Sequence, residues 1–141
     1  MKYKFNILLV FIILLFIFIK NRPLETFENK IIIGFIIPTT SNKRNYKNIL
    51  QTDFFNILLK SIRKIKLDTN FYYKFYLGYD SDDDFFNKND SELKNEFKKL
   101  NLPNSSIKTI KIYNKKGKLG EIWSELAENA RKECDYFYQM G

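Results

Sequence analysis

Apolar and polar positions divide the chain into a leading apolar block and a following stretch in which two periods alternate. Ile7 to Ile19 is an unbroken run of thirteen apolar residues, preceded by Lys2 and Lys4 and closed by Lys20, Asn21 and Arg22. From Lys30 the pattern changes. Ile31 to Pro38 holds five isoleucines, one phenylalanine, one glycine and a closing proline, the signature of a strand buried on both faces, as in a parallel sheet. Thr52 to Lys66 then places Phe54, Leu58, Ile62 and Ile65 on one helical stripe, widened by Phe55 and Leu59, with Thr52 or Gln51 at its start. Phe71 to Tyr79 is an aromatic-rich second strand. Leu93, Phe97 and Leu100 recur at helical spacing behind a cap at Asp90 or Ser91, and Asn101 to Ser106, with Pro103, ends that helix. Ile107 to Tyr113 alternates well enough for a third strand, and Lys115 to Gly117 makes a turn. Leu119, Ile122, Trp123, Leu126, Ala127 and Ala130 form the clearest helical face, and Asp135 to Met140 is the fourth strand.

Strand and helix in strict alternation predict an α/β fold: a Rossmann-like, mostly parallel sheet of about four strands with three helices joined by right-handed crossovers. The expected organisation is a hydrophobic anchor at 1–22, a linker at 23–29 and one domain at 30–141. As a helix the apolar run is ~20 Å long against a hydrocarbon core of ~30 Å. No small-residue cleavage pattern follows it, which favours an uncleaved signal anchor over a cleaved signal. The expected location is a single-pass membrane protein with its domain in the secretory lumen, the alternative being secretion after cleavage. Because the chain stops on a strand, the expectation is also that it represents the front part of something longer, or a decayed copy of it.

Charge and composition narrow the field. The formal charge of +8 suggests nucleic acid until it is divided. Setting aside Lys2, Lys4, Lys20 and Arg22 leaves 20 basic against 16 acidic side chains, a balance of +4. The lysines are scattered, whereas a nucleic-acid footprint gathers its charge on one face, so no nucleic-acid partner is expected. Cys134 is the only cysteine and there is no histidine. Intrachain disulfides, histidine-based triads and zinc sites of the Cys/His kind are thereby excluded for this chain.

The first turn carries the most informative chemistry. A dinucleotide-binding sheet would continue from its first strand into G-x-G-x-x-G, and a nucleotide triphosphatase into G-x-x-x-x-G-K-[ST], since both cradle phosphates on backbone amides at a helix start. Here the turn is Pro38, Thr39, Thr40, Ser41, with no glycine. A diphosphate bound on this sheet would need another source of positive charge, the natural one being a divalent cation held by carboxylates. Asp80 stands where the second strand ends. It either accepts hydrogen bonds from a ribose or base or, with Asp82, Asp83 and Asp84, merely ends the strand in a turn. Asp80, Asp82 and Asp84 match positions 1, 3 and 5 of an EF-hand loop, but Phe85 stands where glycine is required and Ser91 where glutamate is required. No calcium loop is predicted.

The order of these features resembles the nucleotide-binding half of a GT-A-fold glycosyltransferase: an amino-terminal anchor, a strand ending in Pro-Thr-Thr-Ser, a second strand ending in Asp80, Lys118 leading into an amphipathic helix, and the strand from Asp135. The likeness runs over Lys30 to Gly141. It implies a UDP- or GDP-sugar donor contacted by Pro38, Thr39 and Thr40, with Asp80 on the base or ribose edge and Lys118 near the base or diphosphate. It also implies Mn²⁺ or Mg²⁺ in a full-length enzyme, held by an Asp-x-Asp motif after the fourth strand. This chain has neither that motif nor the acceptor-binding half, so no catalytic or metal residue is assigned. The alternative is a non-catalytic, membrane-tethered α/β interaction module or a truncated relic.

Overall fold

A run of β-branched residues without a polar interruption has no face to offer to solvent, and Ile32–Pro38 accordingly forms an interior strand, β1. Ile36 is buried against one layer of helix and Ile37 against the other. The computed structural model describes residues 30–41, 44–113 and 118–140. The expected anchor, the linker and the turn Lys115 to Gly117 lie outside them.

The other elements follow in alternation. A single 3₁₀ turn, Ile49–Gln51, leads into α1, which opens as a π-helical segment, Phe54–Leu59, and continues as the α-helix Lys60–Lys64. Then come β2 (Tyr72–Asp80), α2 (Asp84–Lys99), β3 (Ser105–Ile112), α3 (Leu119–Arg131) and β4 (Tyr136–Gln139). The four strands lie in the order β3-β2-β1-β4 and every pair is parallel. The first three strands step outward in one direction and β4 returns to the far side of β1. Right-handed crossovers then put α1 and α2 on one face and α3 on the other. The two cores reflect this: Phe54, Leu59, Phe75, Leu77, Leu93 and Phe97 fill the first layer, and Ile36, Tyr76, Ile112, Ile122, Leu126 and Ala130 the second.

Several expected details shift, each for a physical reason. The first helix opens as a π segment, which turns more slowly than an α-helix, and still buries most of its predicted stripe. Phe54, Phe55, Leu59 and Ile62 are buried and Leu58 is half-buried, whereas Ile65 is exposed because the helix ends at Lys64. Thr52 does not cap with its side chain: its buried hydroxyl donates back to the Ile49 carbonyl at 2.7 Å. The second helix starts six residues before Asp90, at Asp84, because Asp83 supplies the cap by accepting from the Phe86 amide. Asp90 sits inside that helix, taking hydrogen bonds from Tyr79 Oη and Lys94 Nζ. The first residue of α3's predicted apolar face, Leu119, is exposed, whereas Ile122, Leu126 and Ala130 are buried as the spacing requires.

Candidate functional site at the carboxyl edge of the sheet

Because β2 and β3 lie to one side of β1 and β4 to the other, the order of strands reverses between β1 and β4. In open α/β sheets ligands bind outside the carboxyl ends of the strands at such a reversal. Three of the strand exits there are held by specific bonds. The Thr39 amide donates to the Gly78 carbonyl at 2.7 Å, extending the β1–β2 ladder by one rung. The Met140 amide donates to Ile36 O at 3.0 Å, and the Ser81 amide to Ile112 O at 2.8 Å.

The tightest contact joins the loop after β1 to the start of α2. Asp83 accepts from the Ser41 amide and from Ser41 Oγ, both at 2.7 Å, and from the Phe86 amide at 3.2 Å. One buried carboxylate thus caps the helix and pins the Pro38–Ser41 exit. It also occupies the amide pocket at the α2 start, where a phosphate would otherwise be favoured. Nearby, Asn87 Nδ2 donates to Ser81 O at 2.6 Å, while Asn87 Oδ1 is buried with no hydrogen-bond partner. Further out, Arg44 pairs with Asp53 and donates to Tyr46 Oη, and the Tyr46 ring lies 5.6 Å from that of Phe85.

Pro38, Thr39, Thr40 and Asp80 are brought to this one edge. Pro38 pairs in register with Gly78, so Thr40 and Asp80 each stand two residues beyond that pair on strands about 4.8 Å apart. Asp80 is half-buried and its carbonyl accepts the Asp83 amide at 2.9 Å. Thr39 commits its amide to the ladder. Lys118 immediately precedes α3, whose first turn follows the β3 exit. It is exposed, and its Nζ lies 3.2 Å from Glu121 Oε1 across one helical turn. Beneath the edge, a Cβ at Gly78 would lie 2.7 Å from Leu126 Cδ2; glycine there lets α3 approach the sheet under the site.

The cation implied by the resemblance does not fit the described residues. No group of three or more Asp, Glu, His or Cys side chains that could hold a metal occurs among them. Of the acidic run, Asp83 is consumed by three hydrogen bonds, and Asp82 and Asp84 are exposed. Nor is any helix among the described residues long and apolar enough to cross a membrane.

The Ser41–Asp83 latch and Asn87 were not found from sequence. The signal was present: stepping back seven residues from Leu93 reaches Phe86, and the residue three before that is Asp83. The polar Asp90 interrupted the stripe and concealed it. No family model, no curated protein and no solved structure matches this chain.

Proposed function

We propose that the chain is the nucleotide-binding portion of a GT-A-type glycosyltransferase, tethered to a membrane through Ile7 to Ile19, and that it binds a UDP- or GDP-sugar at the carboxyl edge. The observation that supports this reading is that Thr39, Thr40 and Asp80 lie at the carboxyl ends of the neighbouring strands β1 and β2, the first of which borders the strand-order reversal, on a turn with no glycine and with the α2 start already capped. Such an edge is poor at cradling phosphate and well suited to reading a nucleoside. Asp80 accepts hydrogen bonds from ribose hydroxyls or a base amide, the threonine hydroxyls contact base and ribose, and Lys118 turns from Glu121 toward the diphosphate. The buried Asn87 Oδ1 offers a further acceptor beside Ser81. Among the described residues no cation ligands are assembled, so no metal-assisted transfer step is assigned to them.

Calorimetric titration of the full chain in neutral detergent with UDP and GDP tests the reading. Saturable binding is expected, weakened about tenfold or more by Asp80→Asn, the order of magnitude for losing a charge-assisted hydrogen bond. A folded protein that binds neither nucleotide at millimolar concentration overturns it in favour of the non-catalytic interaction module.

A further inference from the structure

We infer that the open edge of β3 is a docking groove for an acidic peptide in extended conformation, independent of the nucleotide site. Three observations converge on it. The first is backbone geometry. Asn104 O accepts the Tyr73 amide and Ile112 O accepts the Ser81 amide, each at 2.8 Å. Even-numbered residues of β3 therefore turn their backbone groups toward β2. In a parallel ladder the alternate residues turn both N–H and C=O the other way. Ser105, Ile107, Thr109 and Lys111 thus present their backbone groups outward, and among the described residues β3 is the last strand on its side of the sheet. An outward edge of this kind is the template for adding a strand.

The second observation is a cleft of about 450 Å³ between the last turn of α2 and the first residues of β3. Phe97, Leu102 and Ile107 give it apolar walls, and Lys94 and Lys98 line it as well. It lies at the amino end of β3, away from Thr39 and Asp80. The cleft offers an apolar side chain of an added strand somewhere to go.

The third is charge, which selects the occupant. Lys94 pairs with Asp90, Lys99 with Glu96, and Lys108 with Glu133. Among the described residues those pairings take the neighbouring carboxylates and leave Lys98 and Lys111 over. Ile107 packs into the core layer that includes α2; Lys111, four residues on, shares its face, so the two spare cations bracket the groove on the α2 side. Two copies joined antiparallel about Lys111 would set that lysine against its like, which is unfavourable in cross-strand positions. An acidic strand meets the opposite sign along the same length.

Fluorescence polarisation of a labelled seven-residue peptide alternating glutamate and valine, added to the full chain in neutral detergent, tests the inference. Saturable binding is expected, and a lysine–valine peptide is expected not to bind. Two versions N-methylated at alternate sets of amides separate strand pairing from simple attraction: one of them should lose at least tenfold in affinity. Lys98→Glu and Lys111→Glu, both at exposed positions, should each weaken binding about fivefold or more while the circular dichroism spectrum stays unchanged. Three results overturn the proposal: no binding, equal affinity for all methylated forms, or binding of oligouridylate as tight as that of the acidic peptide. Concentration-dependent dimerisation that Lys111→Glu alters would replace the peptide by a second copy and equally overturn it. None of these outcomes bears on UDP or GDP binding.

Discussion

β2 and β4 are built from nearly the same residues and meet opposite fates. Tyr73, Phe75, Tyr76 and Tyr79 of β2 are buried, none more than 5% exposed, while Tyr136, Phe137 and Tyr138 of β4 are 61%, 39% and 58% exposed. Composition does not separate them; place in the strand order does. β2 has β3 and β1 on its two sides and a helical layer on each face. Among the described residues β4 pairs only with β1, over four residues. An aromatic-rich segment is a statement of how much surface could be buried, and topology decides how much is.

The contrast is broken most directly by truncating one ring from each strand. Phe75 is fully buried, 5.1 Å from the Phe35 ring and 5.2 Å from that of Phe97. Phe75→Ala is expected to destabilise by about 3–5 kcal/mol, since the lost transfer energy is joined by the cost of a cavity. Tyr138→Ala, at an exposed position on the sheet margin, should cost below about 1 kcal/mol. Urea unfolding of both variants, read from the midpoints at a common slope, checks the pair. Equal losses would mean that β4 is covered as β2 is.

Glycine sharpens the same comparison at a smaller scale. A Cβ at Gly78, near the carboxyl end of β2, would stand 2.7 and 2.8 Å from the two Leu126 methyl carbons and 3.0 Å from Ile112 Cδ1. Leu126 is fully buried and has nowhere to move. Gly78→Ala should therefore cost about 1–3 kcal/mol by overpacking. At Gly120, in the exposed first turn of α3, nothing lies within 4 Å of the added Cβ. Gly120→Ala should be neutral or stabilise by up to about 1 kcal/mol, because alanine loses less freedom in a helix. Thermal denaturation of the two variants separates them by sign.

The same distinction explains what could be learned from sequence. The alternation of elements, the interior character of β1 and the buried face of α3 are written locally, in Ile31 to Pro38 and in Ile122, Leu126 and Ala130. The all-parallel order follows from that alternation and the handedness of crossovers. What local pattern does not carry is long-range pairing. Ser41 and Asp83 are forty-two residues apart, and neither residue's neighbours announce the other. Thr39 and Asp80 are candidates in the sequence because each closes a strand; that their strands are neighbours is given only by the Pro38–Gly78 register. Ile65 falls off the stripe because α1 ends at Lys64, one residue before it, and one aspartate within α2 conceals that helix's true start. The aromatic exposure of β4 was likewise invisible, since DYFYQM reads as a strand wherever it is placed.

The smallest expected effect concerns how the entry to β4 is fastened to the middle of the sheet. Glu133, in the turn between α3 and β4, accepts from Lys108 Nζ at 2.6 Å and Lys74 Nζ at 3.1 Å, and from the Tyr76 hydroxyl at 3.3 Å. Hydrogen bonds from Lys108 and then Lys74 hold its carboxyl down at about 2, against an ordinary 4.5. A carboxylate depressed by folding contributes stability that is present above its unfolded value and disappears as the pH falls through the folded one. The contribution should therefore be complete above about pH 4.5 and gone by about pH 2. Glu133→Gln removes it, and with the side chain a third exposed each ion pair is worth below about 1 kcal/mol after screening. Unfolding midpoints of the two proteins should differ at neutral pH and converge between pH 4.5 and 2, the difference shrinking in high salt. Parallel curves across that window would mean that the backbone ladder to β1 alone fastens β4, and that the lysines of β2 and β3 take no part in holding the exposed strand to the buried one.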